Sequence, residues 1–145
     1  MGVRAPGEWV LRCDGGSRGN PGPAAFGFVL HDPEGREALA HGEFIGEATN
    51  NVAEYRALIA GLVAAAEHGV VALSVVMDSE LVIRKMTGEY RVRHAGLKLL
   101  HEQARRAVSR VRQVRFAAVR RDRNARADEL VNAALDRELG PESPR

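Results

Sequence analysis

Cysteine is almost missing from this chain. Cys13 is the only one in 145 residues, which excludes an internal disulfide framework and any multi-cysteine zinc site. Lysine is nearly as scarce, with Lys85 and Lys98 the only two among 21 basic residues. No stretch approaches the roughly 20 apolar residues of a membrane span, and residues 1–6 hold no apolar run of signal-peptide length. Repeats, low-complexity segments and evident linkers are also absent. What remains is a globular composition, 45% hydrophobic and 28% charged, outside the disordered and membrane-embedded classes. Such a length suits one domain able to bury roughly two-thirds of the surface its unfolded form exposes. The expectation is a single cytoplasmic domain over 1–145, with a core of about 8–139 and a short polar tail at 140–145. No membrane partner and a monomeric state are expected with it.

The net charge of +2 hides an asymmetry. Residues 84–126 carry 14 Lys and Arg against three acids, Glu89, Glu102 and Asp122, while the rest of the chain is acidic. A run of this kind is either a solvated face or a phosphate-binding one, and its arginines suit bidentate phosphate contacts.

Alternation of Trp9, Leu11 and Cys13 predicts a strand over 8–14 that runs into the turn-forming stretch Gly15-Gly16-Ser17-Arg18-Gly19-Asn20-Pro21-Gly22-Pro23. Further strands are predicted over 25–30 and 36–45, joined by short turns as in an antiparallel meander. Residues 51–68 read as a helix capped by Asn51, with Glu54 completing a capping box. The apolar run 70–77 reads as a strand buried on both faces. Helices are predicted over 79–86, 96–108 and 124–139, with a fifth strand over 111–119. The order βββαβααβα implies an α/β domain whose meander continues into a parallel sheet flanked by helices.

Four carboxylates stand where carboxylates are costly. Asp14 and Asp78 end strands, in the place where open α/β sheets gather their sites. Each also has a bland role open to it, Asp14 bonding turn amides and Asp78 capping the helix that begins near Ser79. Glu54 projects among Ala57, Leu58, Gly61 and Ala65 at the centre of an apolar face, where a carboxylate needs a cation or a metal. Asp128 adjoins the stripe of Ala127, Val131 and Ala134, although an acid in a first helical turn is favoured by the helix dipole alone. Converging, the four would make an oxygen-rich site for a hard divalent cation, Mg²⁺ or Mn²⁺. Two such ions beside a basic surface suit phosphodiester hydrolysis. The five histidines are scattered and argue for no zinc. The glycine-rich turn lacks the Lys-Ser/Thr ending of a P-loop and does not match GxGxxG, so its glycines serve close approach by a ligand. Thr49-Asn50-Asn51 offers amide and hydroxyl donors, or caps alone.

In order and spacing, the runs Asp14 to Pro23, Thr49 to Glu54, Asp78-Ser79 and Asn124 to Asp128 resemble type 1 ribonuclease H over about residues 8–138. That resemblance implies an RNase H-like fold with a five-stranded mixed sheet. It implies an endonuclease that hydrolyses the RNA strand of RNA–DNA hybrids with two Mg²⁺ ions per site, Mn²⁺ substituting, and leaves 5′-phosphate and 3′-hydroxyl ends. Asp14, Glu54, Asp78 and Asp128 fall on the metal-binding positions. Backbone groups near Gly15 and Gly16, with Asn20, Asn50 and Asn51, match readers of the minor groove and its 2′-hydroxyls, the groups that distinguish RNA from DNA. Thr49 and Asn20 match positions that hold a phosphate of the DNA strand. Asn124 and Glu80 complete the substrate-binding set, with Glu at position 80 where Gln is commoner.

Two departures mark a subgroup. The loop histidine of many members is replaced here by Ala118, with Arg121 the candidate for its place. The basic protrusion is absent as well, so affinity for the duplex falls to Arg105, Arg106 and Arg110. Both leave open a same-fold nuclease that also cuts double-stranded RNA. A non-catalytic hybrid-binding module is the remaining alternative.

Overall fold

The computed structural model describes residues 7–140; the polar tail beyond 140 and the stretch 1–6 lie outside them. Five strands form one sheet in the order β3-β2-β1-β4-β5. They are β1 (Trp9–Ser17), β2 (Gly22–His31), β3 (Glu37–Ala48), β4 (Ala72–Met77) and β5 (Gln113–Ala118). β1–β2 and β2–β3 pair antiparallel, β1–β4 and β4–β5 parallel. Helices α1 (Asn50–Glu67), α2 (Glu80–Met86), α3 (Ala95–Ser109) and α4 (Ala125–Leu139) cover it. Element order and sheet type are those the hydrophobic periodicity predicts.

Several boundaries differ: β2 and β3 run longer than expected, β4 and β5 are shorter, and three further differences bear on the site. β1 continues through Gly15 and Gly16 to Ser17 because it stays paired with β2, Gly15 opposite Phe26 and Ser17 opposite Ala24; cross-strand pairing overrides the poor strand propensity of glycine. Thr49 caps α1 in place of Asn51, its Oγ1 accepting from Val52 N–H at 3.2 Å. Glu54 therefore sits too far into the helix to close a capping box. A 3₁₀ turn, Arg121–Arg123, precedes α4 and carries Arg121.

The main core lies between α1, α3 and the sheet. Leu11, Tyr55, Leu58, Leu62, Leu73, Val75 and Met77 are fully or almost fully buried there. A smaller cluster of Ala25, Val131, Ala134 and Leu135 seats α4 on the sheet. No described helix is long and apolar enough to cross a membrane.

Tyr55 gives this core a pH signature. Burial, and then the Glu54 charge, pushes its phenol up to about 12, against about 10 in an unfolded chain. Above pH ~10 the unfolded chain releases a proton that the folded one keeps. Stability from this group is therefore full below pH ~10 and falls as pH rises toward 12. Thermal melts across that window should show the fall, and Tyr55→Phe should flatten it.

Candidate active site

The parallel pairing of β1 with β4 places Cys13 beside Met77, so the next residue on each strand, Asp14 and Asp78, emerges at the same end of the sheet. Asp14 is buried, 4% exposed. Asp78 does not cap α2, a role taken by Ser79 Oγ, which accepts from Val82 N–H at 3.3 Å. The first turn of α1 crosses directly over Gly15. A Cβ there would lie 2.3 Å from the Ala53 carbonyl carbon and 2.5 Å from Glu54 N, so glycine is what lets α1 bring Glu54 down beside Asp14.

The result is an open pocket of about 490 Å³ whose walls include Asp14, Glu54 and Asp78, then Asn20 and Asn50, then Arg121. Gly15, Ser17 and Gly19 complete the lining. Ser17 and Gly19 were not singled out in the sequence, although both belong to its glycine-rich turn.

Asp128 stands behind Arg121 and outside the lining. The Arg121 guanidinium lies 4.0 Å from Asp78 Oδ2 and 4.0 Å from Asp128 Oδ1. The Asp128 carboxylate also accepts from Asn132 Nδ2 at 3.2 Å, one turn along α4. Among the described residues no three His, Cys, Asp or Glu side chains close into a ready-made metal cage. Carboxylates of like charge hold apart until a cation draws them together. A positive charge already collects between Asp78 and Asp128, in the form of Arg121. The converging donors are all carboxylate oxygens, the chemistry of a hard divalent cation rather than zinc. Cys13 adds no thiolate, since burial and the Asp14 charge push its thiol well above the ordinary range.

The polar wall is pre-oriented. Ser17 N–H and Oγ–H donate to Asn50 Oδ1 at 2.9 and 3.1 Å, and Asn50 N–H donates to Asn20 Oδ1 at 3.0 Å. Both amide oxygens are thus committed to donors, which fixes the orientation of the two amides. Each amide then has its NH₂ to offer, a donor suited to hydroxyl, base or phosphate acceptors.

Five expected substrate-binding residues lie outside the pocket lining. Gly16 is buried within β1, Thr49 caps α1 and Asn51 lies in its first turn. Glu80 is exposed and paired with Arg84 on α2. Asn124 sits behind the pocket wall. Its side chain is 1% exposed, and its Nδ2 donates to Cys13 O at 2.8 Å and Asp78 Oδ1 at 3.1 Å. A carbonyl can only accept, so the amide cannot be flipped, and both hydrogens are used inside the protein. Asn124 thus supports Asp78 from behind. Arg12, unmarked by any motif, donates to Arg123 O at 2.8 Å and so holds the 3₁₀ turn that carries Arg121.

The profile of a family described as reverse transcriptase-like matches residues 12–134. Bifunctional protein Rv2228c of Mycobacterium tuberculosis is 47% identical over 128 residues, 88% of this chain and 35% of that protein. The chain thus spans about a third of that relative. The N-terminal RNase H domain of Rv2228c, solved as a fusion with maltose-binding protein, superposes with a TM-score of 0.87 at 44% identity, covering 90% of this chain and 95% of the other. RNase H1 of Halobacterium salinarum gives 0.87 at 42%, covering 90% and 99%. LC11-RNase H1, solved in complex with an RNA/DNA hybrid, gives 0.86 at 43%, covering 90% and 99%.

Proposed function

Because the chain belongs to the RNase H-like family, we propose that it is a ribonuclease H, a metal-dependent endonuclease that hydrolyses the RNA strand of RNA–DNA hybrids and leaves 5′-phosphate and 3′-hydroxyl ends. One observation carries this reading: Asp14, Glu54 and Asp78 share a pocket with two amides whose donors point outward from fixed positions. Asp14, Glu54, Asp78 and Asp128 would hold two Mg²⁺ ions, or Mn²⁺ in their place. Bound there, the ions would supply Lewis-acid activation of water and stabilisation of the leaving oxygen.

The chain's own residues do the rest. Asn124 holds Asp78 in place through a buried hydrogen bond. Asn20 and Asn50 present N–H donors to acceptors in the minor groove, including the 2′-hydroxyl oxygens, which a DNA strand lacks. Arg121 cannot exchange a proton near neutral pH, so it acts as a fixed positive charge, neutralising the carboxylates before substrate arrives and a phosphate afterwards. Residues 87–94 join α2 to α3 with no added element, which supports the subgroup without a basic protrusion. The exposed Arg105 and Arg106 on α3, with Arg110 at its C-cap, then take over the duplex backbone. A single domain of about 8–139 would carry the whole activity.

The test is an end-labelled substrate panel of RNA–DNA hybrid, double-stranded RNA and double-stranded DNA, each with Mg²⁺, Mn²⁺ or EDTA. Metal-dependent cutting confined to the hybrid is the expected outcome. Comparable cutting of double-stranded RNA would establish the relaxed-specificity form, and binding without cutting under either metal would leave only a binding module.

A further inference from the structure

The turn between β1 and β2 is held from two sides. Toward α1 it is tied by the hydrogen bonds among Ser17, Asn20 and Asn50. Toward α4 a single side chain makes the tie. Arg18 reaches the last turn of that helix, with Nη2 2.6 Å from Asp136 Oδ1 and Nη1 3.5 Å from Gly140 O. A cation is favoured at this carbonyl end of a helix.

The pairing is unequal in a telling way. The Arg18 side chain is 6% exposed and that of Asp136 is 40% exposed. Among the described residues, Arg18 Nε is also buried without a hydrogen-bond partner. An unsatisfied buried donor is destabilising, and apolar side chains of similar volume commonly replace buried ion pairs at no loss of stability. As a device for stability alone, Arg18 is therefore a poor choice.

Its geometric effect is specific. The backbone folds tightly back on Arg18. Arg18 N–H donates to Pro23 O at 2.8 Å, Gly19 sits at φ +92°, and a Cβ on Gly22 would lie 2.2 Å from Arg18 O. Fixing Arg18 thus fixes Asn20, two residues on. The same contact joins the turn to α4, the helix that carries Asp128 near its other end.

We propose that Arg18 is a positioning residue: its buried pairing with Asp136 on α4 sets the Asn20 and Asn50 amides where they meet the nucleic acid. Arg18 itself does not touch substrate. The inference rests on the hybrid-cleaving reading above, but the anchoring has a readout of its own.

The variants are Arg18→Met, Arg18→Lys, Asp136→Asn and the Arg18→Met/Asp136→Asn double. Thermal unfolding, amide hydrogen exchange at Ser17 and Asn50, and steady-state cleavage of RNA–DNA hybrid are measured for each. Arg18→Met should shift Tm by no more than about 3 °C, since solvated Asp136 is left with no unpaired buried charge. Exchange at Ser17 and Asn50 should rise about tenfold or more. KM should rise about tenfold with kcat within about twofold, the signature of lost pre-organisation. Asp136→Asn should move the same quantities in the same direction, Arg18→Lys should restore part of the loss, and the double variant should be no worse than Arg18→Met. Unchanged exchange and KM in Arg18→Met would overturn the proposal, as would a kcat that falls in step with a large drop in Tm. A wild-type protein that cuts no hybrid would overturn the functional reading instead, and exchange at Ser17 and Asn50 would still decide the anchoring.

Discussion

Asp78→Asn is expected to bind RNA–DNA hybrid within a few-fold of the wild type and to cleave it about 10³-fold more slowly or worse, a loss of roughly 4 kcal/mol in the barrier. The substitution keeps the volume of the side chain and an oxygen able to accept the hydrogen bond that Asn124 Nδ2 makes at 3.1 Å, so the fold behind the pocket stays intact. What it removes is the negative charge that faces Arg121 and that a divalent ion needs. Binding should survive because Asn20, Asn50, Arg105, Arg106 and Arg110, which would carry most of the duplex contact, make no contact with the Asp78 carboxylate. Single-turnover cleavage with excess protein, alongside fluorescence anisotropy on the same hybrid, separates the two effects. Loss of binding in parallel with turnover would mean that Asp78 is part of the binding surface rather than a catalytic ligand.

Gly15→Ala is expected to lose both stability and activity. The new Cβ would lie 2.3, 2.4 and 2.5 Å from Ala53 C, Ala53 O and Glu54 N. All three are backbone atoms, so no rotamer change relieves the clash and α1 must move away from β1. Overpacking of this severity costs about 3 kcal/mol, a fall in Tm of roughly 10 °C for a domain of this size. Glu54 is itself one of the displaced residues, so catalysis should drop further than the unfolded fraction explains. Gly61→Ala supplies the comparison. Its Cβ would meet the Leu11 methyls at 2.9 Å and Cys13 Sγ at 3.2 Å, side-chain atoms that can shift, and no site residue lies in its way. Gly61→Ala should therefore keep its specific activity at temperatures where it is folded, while Gly15→Ala should not.

The strands, helices and their order were legible because apolar residues repeat with the period of each element, and the run from Leu73 to Met77 is apolar but for Ser74. Glu54 was legible for the opposite reason, as a charge on an apolar face whose neighbours Ala57, Leu58, Gly61 and Ala65 are indeed buried. The cap of α1 is not legible locally because Thr49, Asn50 and Asn51 are all competent to cap, and the choice is made by Ser17 and Asn20, which engage Asn50 from 33 and 30 residues away. The supporting role of Asn124 is hidden for a similar reason. Its true partners, Cys13 O and Asp78, come from two different strands, and no local pattern reveals that they close over it. Arg12 reaching Arg123, and Arg18 reaching Asp136, are contacts across more than a hundred residues, visible only once the sheet has brought the ends of β1 and α4 together.

With metal bound to its carboxylates, this pocket is expected to cut one strand of one kind of duplex. This expectation is tested most directly by a hybrid labelled separately on its RNA and DNA strands and incubated with the protein in Mg²⁺, followed by mapping of the cut positions and the chemistry of the new ends. Internal cuts in the RNA strand alone are expected, with 5′-phosphate and 3′-hydroxyl termini, suppressed by EDTA. Cuts in the DNA strand, cyclic or 3′-phosphate ends, or cleavage that persists in EDTA would contradict it.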